Sequence, residues 1–183
     1  MGRCHGARFA RRCIRVAVSA SLTAGLFAGL PAPPALAAAC PDDPNTIGSV
    51  DGSELTYSLH TKYTAEWTRA RESWNALGKV DIKPHTGAAY ADVDATDVDR
   101  ADIGWSGLWE SHELGSDDIV LNDHFLGSYP ADVKRGIVTH ELGHALRLGH
   151  RSARGAVMYC SDTRTAFAPA AADIAAYRAV WGS

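Results

Sequence analysis

The feature that most restricts how this chain can fold is the run His140-Glu141-Leu142-Gly143-His144-Ala145-Leu146-Arg147-Leu148-Gly149-His150. Residues four apart in an α-helix lie one turn above each other on the same face, so a helix through 140–144 brings two imidazoles together. His150 follows six residues after His144, too far round to share that face. A chain that uses all three must leave the helix after about Leu146 and fold back. Two histidines on one helical face converge on a single small ion. Glu141, directly after the first, swings its carboxylate beside that ion rather than onto it, and His150 completes a three-nitrogen set with one position open. That is the arrangement hydrolytic zinc uses, with Glu141 as the general base that holds and deprotonates a zinc-bound water.

Met158 follows His150 by eight residues, in Ala156-Val157-Met158-Tyr159. With it, the pattern resembles the metzincin zinc peptidases, and within them a small secreted form of the matrixin branch, whose motif His-Glu-x-x-His-x-x-Gly-x-x-His is followed by a methionine turn. The resemblance implies one catalytic zinc on His140, His144 and His150, catalysis by Glu141, and Met158 as a hydrophobic floor under the metal. Arg147 stands where the family has glycine. If the chain turns there with positive φ, a residue with a Cβ costs on the order of 1 kcal/mol. The turn geometry is more at issue than the ligand set.

The first 39 of the 183 residues have a different character. Arg3, Arg8, Arg11, Arg12 and Arg15 precede an apolar run from Val16 to Leu30, and a Pro/Ala stretch ends at Ala39 with no acidic residue. This reads as a secretory signal peptide cleaved after Ala37 or Ala39, leaving 40–183 as one catalytic domain. Pro31, Pro33 and Pro34 and the glycines within the run disfavour a membrane anchor, so no membrane span is expected after cleavage. The Arg11-Arg12 pair leaves a twin-arginine export route open, with the Sec route preferred. Five of the 18 basic and none of the 21 acidic residues leave with the signal, so 13 positive side chains face 21 negative ones, a net charge of −8. That charge argues against nucleic acid as a partner.

Cys40 and Cys160 are the cysteines that remain. An even pair in an exported chain reads as one disulfide. The rival is a free Cys40 whose thiolate caps the metal, because Cys40-Pro41-Asp42 resembles the cysteine segment of matrixin propeptides. The disulfide is preferred, since the arginine and glycine that flank the family cysteine are missing.

Along the mature chain, Leu55 to His60 alternates as a strand, Tyr63 to Leu77 repeats apolar residues at helical spacing until Gly78, and Val80 to Lys83 alternates again. Asp92, Asp94, Asp97 and Asp99 are read as a solvated acidic loop, in preference to a calcium site or, with His85, a structural zinc site. Ala101-Asp102-Ile103 resembles the start of the central matrixin strand, expected here over 101–106 and parallel to the first strands. Residues 107–118 read as a loop, and 119–122 as the edge strand to which an extended substrate adds. His60, His112 and His124 are read as ordinary polar histidines. The active-site helix starts at Pro130-Ala131-Asp132, and an alanine-rich helix with Asp173, Tyr177 and Trp181 closes the chain from 169 to 182.

The expectation is an α+β, metzincin-like zincin with a twisted, mixed, mostly parallel sheet and three helices. The expected function is that of a secreted, extracellular, monomeric zinc endopeptidase acting on extended polypeptides. Its rivals are a zinc-binding module without turnover, motivated by Arg147, and a zinc amidase acting on a non-protein amide.

Overall fold

A computed structural model describes residues 40–45 and 47–182. The expected signal peptide lies outside the described residues. The elements are β1 (Glu54–His60), α1 (Thr64–Asn75), β2 (Asp81–Pro84), β3 (Val93–Val98), β4 (Gly107–Glu110), β5 (Asp117–Asn122), α2 (Asp123–Leu126), α3 (Ala131–Ala145) and α4 (Ala171–Trp181). The strands form one sheet in the order β2-β1-β3-β5-β4, parallel throughout except for the antiparallel edge strand β4. The fold is thus mixed α+β. Four helices rather than three are present among the described residues, the extra one being the single turn α2, begun by Asn122, whose side chain accepts from the His124 N–H.

Side chains alternate across a pleated strand, so register decides which residues share a face. Leu59, Ala95, Ile119 and Trp109 are register neighbours across four strands, and Leu121 is paired with Gly107. Ala95, Ile119 and Leu121 are fully buried, which marks this as the face covered by the helices. Trp67 and Trp74 of α1 and Ile137, Val138 and Leu142 of α3 fill the layer above it. The Trp74 indole N–H also donates to the Thr139 carbonyl at 2.9 Å, locking α1 to the helix that carries the histidines. Tyr177 of α4 stacks on Trp74 and accepts from the Val80 N–H at 2.9 Å, so the last helix is tied to the same core.

Three expectations are corrected. The central parallel strand is β3, inside the stretch read as an acidic loop, whereas 101–106 is irregular. Two of the aspartates are half-buried and bonded to neighbouring strand ends. Asp92 accepts from the Thr56 N–H and hydroxyl at 2.6 and 2.8 Å, and Asp97 from the Thr61 hydroxyl and Lys62 N–H at 2.5 and 2.8 Å, so they fasten the ends of β3 to β1. Segment 101–106 is held as a loop by Asn122, whose amide donates to the carbonyls of Arg100 and Trp105. Finally, 119–122 belongs to β5, which lies between β3 and β4; the edge strand is β4, in the stretch read as a loop.

Candidate metal centre

Helix α3 ends at Ala145, with Leu146 as its C-cap. Arg147 follows at φ 67°, the sole non-glycine residue at positive φ among those described. The Arg147 N–H donates to the His144 carbonyl and the Leu148 N–H to the Gly143 carbonyl, both at 2.9 Å. This pair of bonds is the Schellman closure usually made with glycine. The Arg147 guanidinium carbon lies 5.4 Å from the centre of the Trp181 ring, an attraction that offsets part of the backbone strain. The turn reverses the chain and returns His150 to the helix.

The three imidazoles meet there. Ring centroids of His140, His144 and His150 are separated by 4.7, 4.9 and 5.2 Å, and one ring nitrogen from each lies within 4.8 Å of the others. His140 Nδ1 is 2.8 Å from the Val157 carbonyl and His144 Nδ1 is 2.8 Å from the Leu148 carbonyl. A carbonyl oxygen only accepts, so each Nδ1 carries the proton and each Nε2 presents a lone pair. Those two Nε2 atoms are 3.1 Å apart. Two lone pairs facing each other repel unless a cation or proton lies between them. Two nitrogens bound tetrahedrally at about 2.0–2.1 Å from one zinc would stand about 3.3 Å apart. The donor set therefore fits a divalent ion such as zinc. Burial lowers the proton affinity of all three: His140 falls well below the ordinary histidine value, His144 to about 4, and His150 in the same direction. Neutral imidazole is the metal-binding form.

Glu141 is 5% exposed and borders the same cleft of about 610 Å³ as the three histidines. Burial lifts its carboxyl to about 8, opposed by the Arg164 guanidinium and then by the Trp109 backbone N–H. Gly107, paired with Leu121 and so on the helix-facing side, leaves room for Glu141 against β4. A Cβ on residue 107 would lie 2.7 Å from Glu141 Oε1 and 2.8 Å from Ile137 Cγ2. Met158 is fully buried under α3, pressed against Gly143 between the two helical histidines. Its turn is held by Asp173 of α4, whose carboxylate accepts from the N–H groups of Val157, Met158 and Ala170 at 2.9, 3.1 and 2.8 Å. Since the Val157 carbonyl holds His140, Asp173 reaches the site through one peptide.

Residues 40–45 and 47–50 form a strap along the loop that carries His150. Cys40 is joined to Cys160, with Cα atoms 5.7 Å apart. The Asp43 N–H donates to the His150 carbonyl at 3.0 Å, the Ser152 N–H to Asp42 at 2.7 Å, and the Ser49 N–H to the Ala145 carbonyl at 2.8 Å. Gly149 is where the strap crosses: a Cβ there would overlap the Asp43 carbonyl oxygen at 1.7 Å. On another wall Arg164, 7% exposed, donates to the Tyr159 carbonyl at 3.3 Å and lies 3.6 Å from Asp162, which in turn accepts from the Ser106 and Tyr129 hydroxyls.

His140, Glu141, His144, His150 and Met158 thus come together. Among the described residues no other group of histidines, cysteines and carboxylates is placed to hold an ion. His112 pairs instead with Asp118 at 2.9 Å, and His124 packs edge-on against Phe125. Gly107, Trp109, Arg164 and the strap beyond Cys40-Pro41-Asp42 carry no motif, and the sequence gives no local sign of their place in the site. Asp173 was noted there, but its grip on the methionine turn spans 15 residues and has no local signal. The class defined by this geometry is a partly buried three-histidine centre with an adjacent buried carboxylate, lining a cleft. Comparison with protein-family models and with curated proteins finds no match to the chain.

Proposed function

We propose that the chain is a secreted zinc endopeptidase of the metzincin type. The observation that carries this reading is the convergence of His140 and His144 Nε2, each oriented by a backbone carbonyl, beside the buried carboxylate of Glu141. His140, His144 and His150 would hold one zinc, which when bound supplies a Lewis acid that polarises a carbonyl and acidifies water. Glu141 takes the proton of the attacking water and returns it to the leaving amine, with no covalent enzyme intermediate. Strand β4 supports a polypeptide substrate: it is the sheet edge, Gly107, Leu108 and Trp109 line the cleft, and an extended chain can add to its free side.

Arg147 gives no reason to prefer a module without turnover, because the turn closes with the arginine in place. Export is supported by the disulfide and by the basic and apolar leader. The test is casein hydrolysis by the purified mature protein. Chelator should abolish it and added zinc restore it; a protein that binds zinc yet leaves casein intact would point to the binding module or to the amidase.

A further inference from the structure

Trp109 touches two parts of the molecule at once. Its ring lies over the His144 imidazole, with centroids 6.4 Å apart and planes inclined by 25°. Its indole N–H donates to the Ser49 hydroxyl at 3.0 Å. The register of the sheet makes this possible, because Trp109 is paired with buried Ile119 and so faces the helices while lining the cleft.

Ser49 is itself fixed. Its N–H donates to the Ala145 carbonyl at the end of α3, and its hydroxyl donates to Asp117 at 2.7 Å. A hydroxyl has one proton to give, so with that proton on Asp117 the oxygen is left to accept from the indole. Asp117 is held in turn by the His112 N–H at 2.7 Å. The chain of bonds therefore has one direction, from Trp109 through the strap to β5, and it leaves the indole little freedom to rotate over His144.

We propose that Trp109 is a positioning residue: anchored by Ser49, its indole sets the plane of the His144 ring. The strap, the edge strand and the ligand helix are thereby brought into one register. The inference rests on the metal-centre reading of His140, His144 and His150. Groups that orient a ligand from outside the coordination sphere typically change metal affinity 10- to 100-fold when removed.

The experiment uses the mature protein with cobalt(II) as probe, read by its visible absorption, and the metal-free protein read by NMR of the histidine ring protons. Trp109→Ala should weaken cobalt binding by about tenfold or more and alter the absorption bands. Trp109→Phe, which keeps a ring but loses the indole N–H, and Ser49→Ala, which removes the anchor, should give smaller shifts of the same bands. In the metal-free protein Trp109→Ala should move the His144 ring protons, by loss of the indole ring current, more than those of His150. Unchanged bands and affinity in the variants, with cobalt bound normally by the wild type, would overturn the role of Trp109 and leave the metal reading intact. A wild type that binds no cobalt removes the metal reading; the NMR comparison then stands alone, and unmoved His144 protons overturn the proposal. Where Trp109→Ala does not fold, the Phe and Ser49 variants carry the same two outcomes.

Discussion

Gly143 rests on Met158 so closely that a Cβ on residue 143 would lie 2.2 Å from the methionine Sδ and 3.2 Å from Trp74. The methionine thereby supports α3 at the one residue between His140 and His144 that has no side chain. Gly143→Ala should destabilise the protein by about 1–3 kcal/mol through overpacking and weaken metal binding, while Met158→Leu, of similar volume, should cost less than about 1.5 kcal/mol. Thermal unfolding of the two variants, with and without metal, checks both.

At Arg147 two effects oppose each other. Glycine would relieve a positive-φ strain on the order of 1 kcal/mol but lose the contact with Trp181, worth about 0.5–1 kcal/mol at an exposed site. Arg147→Gly should therefore lie within about 0.5 kcal/mol of the wild type. Arg147→Val should be clearly less stable, since a β-branched residue is poorly tolerated at φ 67°. Denaturant unfolding distinguishes these; a large loss in the glycine variant would contradict the account of the turn.

Asp173 gives a third prediction, because it is fully buried and accepts three N–H bonds. Asp173→Ala leaves those donors without a partner and should cost about 3 kcal/mol or more. Metal affinity should fall with it, since the Val157 carbonyl that orients His140 belongs to the released turn. Metal affinity equal to wild type in a folded Asp173→Ala protein would show that the turn holds itself.

The Cys40–Cys160 bridge joins residues 120 apart. The chain-entropy model gives a stabilisation of roughly 5 kcal/mol for a loop of this size. Non-reducing peptide mapping should recover the linked pair, and Cys40→Ser with Cys160→Ser should lower stability and loosen the strap. Two free thiols, with activity rising on thiol modification, would favour a thiolate that caps the metal instead.

The meeting of the three histidines was legible because helix geometry makes 140 and 144 neighbours, and because a third histidine at a spacing no helix accommodates requires the turn found at Arg147. The helices α1, α3 and α4 were legible from their periodicity. Strand β3 was not: Val93-Asp94-Ala95-Thr96-Asp97-Val98 carries only short or polar alternation, and the bonds that occupy Asp92 and Asp97 come from residues 36 and 35 positions away. Strand β4 has four residues, and its value to the site comes from facing α3 across the sheet register, which no local pattern encodes. The strap is likewise defined by partners about a hundred positions away, such as the Asn45 amide on the His144 carbonyl.

The central claim is that Glu141 is the base of a zinc peptidase, and Glu141→Gln tests it most directly. The side chain keeps its size and loses only its capacity to take a proton, so metal content should remain near one zinc per chain while casein hydrolysis falls by several orders of magnitude. Zinc content measured alongside turnover on the same preparation is the deciding pair. Retained zinc with lost turnover is the result predicted; turnover close to wild type, or loss of zinc together with activity, would contradict the role assigned to Glu141.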